Sequence, residues 1–464
     1  MAKKEISRTE IFENMPVYKA ILTLAVPNVV NQLANVIYNL ADTFYIGKLN
    51  NSSMVAALTV SSFLMLILTA FSNLFCVGSC AVIAAALGSK DRKKAEDVAT
   101  LAPMMAFVMG FIITCAELIF TRQIAVYSGA SDTSLEYAMQ YQFWVFGLNV
   151  IPSLCATTIG AGLRGRGYSK YEMYGITLGN VLNIILDPLF IFVFNMGVTG
   201  AASATFISTC VSFIFFIYMA TRMQKKEHLY TSLKVFKITP AYIWQVVSTG
   251  FPAFLHSFLA SIVNTVQLNI LKGYSDPAVA SLGIGRKIEH TFGQVIIGLN
   301  HGIIPLIAYN RGDGNFERLK EVRRKSIVLT IAWGIVSVIL IFPLAKQIVQ
   351  FFINDPETIA FGIPLVRMYA FLPLSMGFNN NSRTTLQALG EKGTSTLIST
   401  LRLLIMYLPV MFLLDKLFGF YGNVFTPIAT DIITNVIVFF IVRRVFRRIE
   451  AECIEKKAKA QNNA

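Results

Sequence analysis

A carboxylate inside an apolar stretch is the first residue of this chain that could do chemistry. The stretch, which ends at Thr205, reads GNVLNIILDPLFIFVFNMGVTGAASAT. In it Asn180, Asn183 and Asp187 stand at i, i+3 and i+7, so a helix would place their side chains on one face. An aspartate at mid-bilayer costs roughly 2.5 to 3.5 kcal/mol, which makes Asp187 a candidate for a functional site that faces a bundle interior or an aqueous cavity.

A proline follows this aspartate directly. Pro188 cannot donate a hydrogen bond to the carbonyl four residues earlier, which belongs to Ile184. The acceptor left without a partner would lie beside the Asp187 carboxylate, where a cation or a water molecule could use it. We therefore predict a bend in the helix at this point.

The composition predicts a membrane protein that crosses the bilayer many times. The chain has 464 residues, of which 55% are hydrophobic and 14% charged, and its mean hydropathy is +0.58. These values exclude an ordinary soluble protein. The net charge of +14 would suggest a nucleic-acid partner only if the basic residues clustered on a soluble domain, and no segment is long and polar enough to form one.

The sequence contains no motif that would indicate an enzyme. The six cysteines have no metal-ligand spacing, and the glycine-rich sequences GLRGRG and ALGEKG do not match the phosphate loop G-x-x-x-x-G-K-[ST]. No nucleophile and base, and no ATPase motif, can be identified. We therefore expect no cofactor, and an ion gradient as the source of energy.

Twelve apolar segments are long enough to cross a hydrocarbon core about 30 Å thick. With the first residue inside, 29 of the 40 lysines and arginines fall in cytoplasmic segments and 5 in the opposite ones, which predicts that both termini are cytoplasmic. The segments are 17–46, 54–88, 95–120, 134–161, 171–195, 199–221, 241–271, 278–310, 322–344, 357–387, 395–414 and 424–446.

The two halves of the chain repeat each other at a nearly constant offset. The alignment places Pro27 on Pro252 and Asp42 on Gln267. Each repeat holds six spans, so both have the same orientation and are related by an axis along the membrane normal. We predict an all-α membrane protein of two six-helix lobes with a pseudo-two-fold axis, namely residues 1–221, a cytoplasmic linker 222–240, and residues 241–464.

Several polar residues of the first lobe are predicted to lie at a similar depth in the membrane. Asp42, Asp187 and Thr205 lie at similar distances from the outer ends of their spans, at about 1.5 Å of rise per residue. Together with Asn183 they predict an oxygen-rich pocket for Na⁺ or a shared proton, and no metal site beyond that. Two alternatives stay open, because Asp42 could instead cap an interfacial loop, and Asn180 and Asn183 could serve as hydrogen-bonding contacts between helices.

A second group of charged residues lies in span 8. The sequence GIGRKIEHTFGQ contains Arg286, Lys287 and Glu289. Glu289 could attract a cationic ligand in a cleft that Arg286 and Gln267 also line, or the charges could form a structural ion pair. These residues are candidates for a substrate cleft.

The chain resembles the multidrug and toxic compound extrusion (MATE) family, and most closely its MepA-like and DinF-like prokaryotic branch. The resemblance rests on the early proline of span 1 and on further motifs in family order, which are ADTFYIGKL, LGSKD, LRGRG, LNIILDPLFIF, GAASAT and GIIPLIAYN. It implies a twelve-helix, two-lobe antiporter that expels cationic lipophilic compounds in exchange for Na⁺ or H⁺. It also implies a cation site at Asp42, Asn183, Asp187 and Thr205. Some relatives use an acidic residue in the seventh helix, and span 7 here has none.

The sequence thus predicts a secondary active multidrug exporter of the bacterial cytoplasmic membrane. We expect a monomer in the lipid bilayer that binds small cationic compounds and works by alternating access, with hinges at Pro27, Pro188 and Pro252. A flippase for a lipid-linked substrate is the alternative, since it would need a cleft for an anionic headgroup and the arginines of the second half allow one. A passive channel suits two similar lobes less well.

Overall fold

The structure is a computed structural model that describes residues 8–49, 52–227, 230, 237–271 and 273–462. Nearly all of these residues are helical, which confirms the all-α prediction. The helices are α1 (Arg8–Glu13), α2 (Val17–Gly47), α3 (Ser52–Gly88), α4 (Arg92–Tyr127), α5 (Leu135–Gln142), α6 (Val150–Gly165), α7 (Ser169–Pro188), α8 (Gly197–Glu227), α9 (Pro240–Leu271), α10 (Asp276–Asp313), α11 (Phe316–Phe352), α12 (Pro356–Tyr369), α13 (Leu372–Ala388), α14 (Lys392–Thr400) and α15 (Tyr407–Asn462).

The described helices agree with the predicted number of spans. Ten helical stretches are long and apolar enough to cross a membrane, and the bent pair Leu135–Leu148 and Val150–Gly165 makes eleven. One of the ten, Lys392–Glu452, has 61 residues, and its helical winding breaks at Gly419, where φ is 58° and ψ is −141°. About 20 residues suffice for one span, so this stretch accounts for two of the twelve predicted spans.

In the described part of the chain, three helices change their winding within the apolar segments. Pro188 is the last residue of α7, and Leu189–Val193 continues the chain as a π-helical turn. A proline at this point removes one backbone donor, so the regular i to i−4 pattern cannot continue through it. Similar π-helical turns occupy Phe143–Leu148 and Leu401–Met406. Pro27 and Pro252 lie inside α2 and α9, and the hinge role of all three prolines stays a prediction.

Residue contacts divide the chain into two compact units. The first, which we call the N-unit, is Val30–Phe258, and the second, the C-unit, combines Met1–Val29 with Leu259–Ala464. The division passes through α2 and α9, so the first part of each of these helices packs in the unit formed mainly by the other half of the chain. The predicted lobe boundaries stay a prediction, and residues 228, 229 and 231–236 of the predicted linker lie outside the described residues.

Glycines hold the exchanged segment of α9 in the N-unit. A Cβ added to Gly250 would lie 1.8 Å from the carbonyl oxygen of Leu74 in α3, and one added to Gly78 would lie 2.3 Å from that of Val246. Each helix therefore presents one glycine to the backbone of the other. Close backbone approach through small residues is the usual way in which helices associate in a membrane.

The C-unit holds the exchanged segment of α2 in the same way. A Cβ on Gly302 of α10 would lie 2.3 Å from Cα of Ala25, and one on Gly298 would lie 2.7 Å from Cα of Val29. In both units, then, close contacts between helix backbones hold the first segment of α2 or of α9 in place.

Candidate functional site

One face of α7 carries the polar residues that the sequence singled out. The buried residues of this helix follow a regular helical spacing and include Asn183 and Asp187. Asp187 is completely buried and Asn183 is 2% exposed. The apolar residues between them point outward, for example Ile185, which is 60% exposed as expected for a side chain that faces lipid. The helical period therefore places the carboxylate inside the N-unit, away from the apolar surroundings.

Asn183 connects this carboxylate to α8. In the amide orientation that satisfies both ends of the side chain, its nitrogen donates to Oδ2 of Asp187 at 3.0 Å. Its oxygen then accepts from the hydroxyl and from the backbone N–H of Thr205, each at 3.1 Å. The three residues that the sequence grouped together are thus in direct contact, and the amide fixes the orientation of the carboxylate.

A polar face of α2 completes the site. Asn35, Tyr38 and Asp42 are spaced three and four residues apart, so they share one side of the helix. The hydroxyl of Tyr38 lies 3.5 Å from that of Thr205, and the amide of Asn180 donates to Oδ1 of Asn35 at 2.7 Å. Asn180 therefore links α7 to α2, which is the interhelical role that the sequence left open for it.

Two carboxylate oxygens of the site have no hydrogen-bond partner among the described residues. They are Oδ1 of Asp187 and Oδ1 of Asp42, both buried. The two carboxylates are close enough to interact electrostatically, and Tyr38 and Tyr141 lie within the range of both. A buried ionised carboxylate is costly unless it is paired, and two neighbouring ones repel each other. The arrangement therefore favours the binding of a cation or a proton.

The described residues offer oxygen ligands here, and no group of three or more His, Cys, Asp or Glu side chains that could hold a metal ion. Carboxylate, hydroxyl and amide oxygens are the ligands that hard cations prefer. The sequence did not identify Tyr38 and Tyr141 as residues of the site. Tyr38 was detectable, because it stands four residues before Asp42 on the same helical face, whereas Tyr141 has no such signal.

The candidate cleft residues of the second half form a different kind of cluster. Gln267 is 2% exposed and saturated with hydrogen bonds, since its nitrogen donates to the side chain of Asn423 at 2.9 Å. Its oxygen accepts from Arg286 at 2.6 Å and from the hydroxyl of Tyr407 at 3.2 Å. Arg286 therefore bonds to Gln267, and the described residues show no ion pair between it and Glu289. Glu289 lies within electrostatic range of Arg286.

An ion pair in the same unit was missed by the sequence analysis. Arg402 donates from Nε to Oδ1 of Asp431 at 2.5 Å, and Ser375 donates to Oδ2 at 3.1 Å. Asp431 is completely buried and Arg402 is 14% exposed by side chain. An aspartate in the middle of a predicted span was a usable signal, but its partner lies in another predicted span.

Comparison with known proteins identifies the fold and the family. A solved structure described as the outward-facing conformation of a multidrug resistance MATE family transporter superposes with a TM-score of 0.91, at 21% identity, covering 97% of this chain and all of that one. The multidrug export protein MepA of Staphylococcus haemolyticus (strain JCSC1435) is 30% identical over 441 residues, which cover 95% of this chain and 96% of that protein. MepA of Staphylococcus aureus (strain MSSA476) is 29% identical over 444 residues, which cover 96% of this chain and 97% of that protein.

The fold is therefore that of the MATE transporters, polytopic membrane proteins with twelve helices in two lobes. The MatE family model matches residues 27–189 and again residues 252–413, so the chain belongs to the MatE family. The two matches to one family model also confirm the internal repeat, because they begin at Pro27 and Pro252, the two prolines that the sequence alignment paired.

Proposed function

We propose that this protein is a secondary active exporter that expels small cationic lipophilic compounds in exchange for Na⁺ or H⁺. Asp42, Asn183, Asp187 and Thr205 would bind the coupling ion. The observation that carries the proposal is the Asp187 carboxylate, which is fully buried, oriented by Asn183, and left with one oxygen that has no partner among the described residues. Family membership and the export function named for the Staphylococcus relatives support the same reading.

Each residue of the site has a distinct part in binding the ion. Asp187 and Asp42 supply the negative charge, which must be neutralised because it lies in a segment of low dielectric. Asn183 donates to one oxygen of Asp187 and so leaves the other available to the ion. Thr205 adds a hydroxyl oxygen on the opposite helix, next to that of Tyr38.

The exchange of ion and compound requires that each favour a different state of the transporter. A ligand that binds two states equally well shifts nothing, however tightly it binds. An ion bound at the aspartates would stabilise the state that releases the compound outward, and loss of the ion would favour the inward state. The bends at Pro27, Pro188 and Pro252 are the proposed hinges, and Arg286, Glu289 and Gln267 stay candidates for the substrate cleft.

The cellular setting is part of the proposal. We place the protein in the bacterial cytoplasmic membrane with both termini in the cytoplasm, because the lysines and arginines concentrate on that side of the predicted spans. We propose a monomer that needs no cofactor beyond the coupling ion.

Dye export from proteoliposomes tests this function. The purified protein is reconstituted, and export of a fluorescent cation is followed under an imposed Na⁺ gradient and, separately, under a pH gradient. We expect export under one of the two gradients, and its loss in the Asp42→Asn and Asp187→Asn variants, because an amide cannot carry the exchanged charge. Asp132→Asn is the matched control, since Asp132 is exposed in the turn before α5. Gradient-driven export at the wild-type rate in both site variants would overturn the assignment.

A further inference from the structure

A cavity of about 200 Å³ lies in the N-unit, directly next to the candidate cation site. At about 30 Å³ for each molecule of liquid water, it has room for roughly six to seven waters. Two residues of the cation site, Asn183 and Thr205, form part of its wall. The rest of the wall combines amide and hydroxyl groups with two aromatic rings and three small or apolar residues. These residues are Asn35, Tyr38, Ser153, Ala156, Thr157, Ile176, Gly179, Asn180, Ser208, Thr209, Ser212 and Phe216.

The cavity follows two facing stripes of α7 and α8. On α8, Thr205, Ser208 and Ser212 are spaced three and four residues apart, so their hydroxyls form one row. On α7 the facing positions are glycines, and a Cβ on Gly179 would lie 2.1 Å from the hydroxyl oxygen of Ser212. Because glycine has no side chain, α8 comes close to α7 here, and the Ser212 hydroxyl donates to the carbonyl of Gly175 at 3.0 Å. Ser208 is 3% exposed, and its hydroxyl has no partner among the described residues.

An aromatic ring lines the cavity at the end away from Thr205. Phe216 lies 11 residues further along α8, about 16 Å at the helical rise. Its ring is held between two glycines, since a Cβ on Gly175 would lie 2.4 Å from Cζ and one on Gly160 would lie 3.2 Å from the same atom. The ring is 1% exposed.

A buried ion pair lies behind this ring. Glu172 is on the same face of α7 as Asp187, 15 residues or about 22 Å away along the axis. A Cβ on Gly160 would lie 3.2 Å from Cγ of Glu172 as well as from the Phe216 ring, so the two side chains are neighbours. Glu172 binds Arg164 at 2.6 Å, and both side chains are 4% exposed. The second carboxylate oxygen of Glu172 is buried and accepts no hydrogen bond from the described residues.

We propose that this cavity is the passage by which the coupling cation moves between Asp187 and the end of the N-unit that carries Glu172, with Phe216 as its gate. The proposal rests on the exporter function proposed above. The Lys and Arg distribution places that end on the cytoplasmic side. The hydroxyl and amide oxygens of the wall replace part of the hydration shell of the cation. The Glu172 carboxylate attracts the cation once the Phe216 ring moves aside.

The same passage serves a proton or a sodium ion. For a proton, the Asp187 carboxyl gives up its proton to a water beside it, and waters pass one on along the cavity until the Glu172 carboxylate takes it. One O–H bond breaks and one forms at each step. A sodium ion would move through with part of its hydration water. The shared chemistry is a small monovalent cation, and the experiment separates the two.

The first test opens the gate. Proteoliposomes that contain an internal pH indicator or an internal Na⁺ indicator are given a gradient of the corresponding ion and no export substrate. We expect Phe216→Ala to dissipate the gradient of the coupling ion about tenfold faster than the wild type, which corresponds to a barrier lowered by RT ln 10. Adding Asp187→Asn should abolish this leak. The matched control is Phe206→Ala, because that ring is on the same helix, packs against Trp144 and does not line the cavity.

The second test fills the cavity. Ser208→Leu should place an apolar side chain in the passage and slow gradient-driven dye export about tenfold, whereas dye binding to the detergent-solubilised protein stays at the wild-type level. The matched control is Thr221→Leu, because this side chain is exposed on the same helix and does not line the cavity, and it should export at the wild-type rate. If Phe216→Ala does not fold, this pair of variants still tests whether the cavity is the passage.

Failure of the passage can be told apart from failure of the proposed function. If Asp187→Asn loses export, but Phe216→Ala does not leak and Ser208→Leu exports normally, the cavity is not the passage and the exporter function stands. A leak in Phe216→Ala that persists in the Asp187→Asn background would also overturn the passage, because the ion would then bypass the site. Normal export by Asp187→Asn would instead reject the coupling role of the site.

Discussion

The contact between α3 and α9 makes Gly250→Ala the most demanding single substitution in the N-unit. A Cβ at this position would lie 1.8 Å from the carbonyl oxygen of Leu74, whereas ordinary van der Waals contact begins at 3.4 Å. The two helices would therefore have to move apart by most of the difference between these distances, since the obstructing atom belongs to the backbone and cannot rotate away.

The expected cost follows from two opposing terms. Overpacking of this kind destabilises by about 1 to 3 kcal/mol, and a rigid backbone contact belongs at the upper end. Replacing a helical glycine by alanine gains about 1 kcal/mol. The net destabilisation is about 2 kcal/mol, or roughly a thirtyfold lower ratio of folded to unfolded protein.

Thermal unfolding of the purified protein in detergent measures this effect. Gly283→Ala in α10 is the matched control, because nothing lies within 4 Å of the added methyl group, and we expect it to be neutral or stabilising. Gly78→Ala acts on the same helix contact, so its effect combined with Gly250→Ala should be smaller than the sum of the two. If Gly250→Ala unfolds at the same temperature as Gly283→Ala, the close packing of α9 on α3 is wrong.

Two further predictions concern the C-unit. Arg402→Gln should destabilise the protein by about 3 to 5 kcal/mol, because Asp431 is completely buried and would lose its counter-charge. Adding Asp431→Asn removes the unpaired charge, so the double variant should recover part of the lost stability in the same unfolding assay. Hydrogen bonds from the hydroxyl and N–H of Thr358 hold the pKa of Asp355, the capping residue of α12, below its usual value. The stability that the Asp355 carboxylate contributes is therefore fully present above its pKa in the unfolded chain, about 3.9. It is lost as the pH falls through the lower pKa of the folded protein. The difference in unfolding temperature between Asp355→Ala and the wild type should therefore vanish in acid.

The fold was largely predictable because membrane helices have a strong signal. Length and hydropathy located the twelve spans, and the repeat was visible in aligned prolines and glycines. The exchange of the first segments of α2 and α9 was not predictable. Pro27 and Pro252 stand in equivalent apolar sequences, so the hydrophobic pattern offers no preference between the two possible packing partners.

The candidate site was predictable where one helix carries it. Asn183 and Asp187 are four residues apart on α7, and a single helical period fixes their common face. Contacts between distant segments were not visible in the sequence. Arg164 was counted among the charges of a cytoplasmic turn, but it is 3% exposed and pairs with Glu172. A charge at the end of a span can lie in solvent or in the protein, and only the packing of the neighbouring helix decides which.

The repeat gives the clearest support for the proposal that ion exchange takes place in the N-unit. Asp42 and Gln267 occupy equivalent positions, but Gln267 is hydrogen-bonded at both ends, to Arg286 and Tyr407 through its oxygen and to Asn423 through its nitrogen. A side chain whose polar atoms are all satisfied is held rigidly and has no free oxygen to offer a coupling ion. At Asp42 one buried oxygen has no partner among the described residues, and a second such oxygen belongs to Asp187. An ion that must bind and leave needs ligands of this second kind, since no protein hydrogen bond has to break when the ion enters.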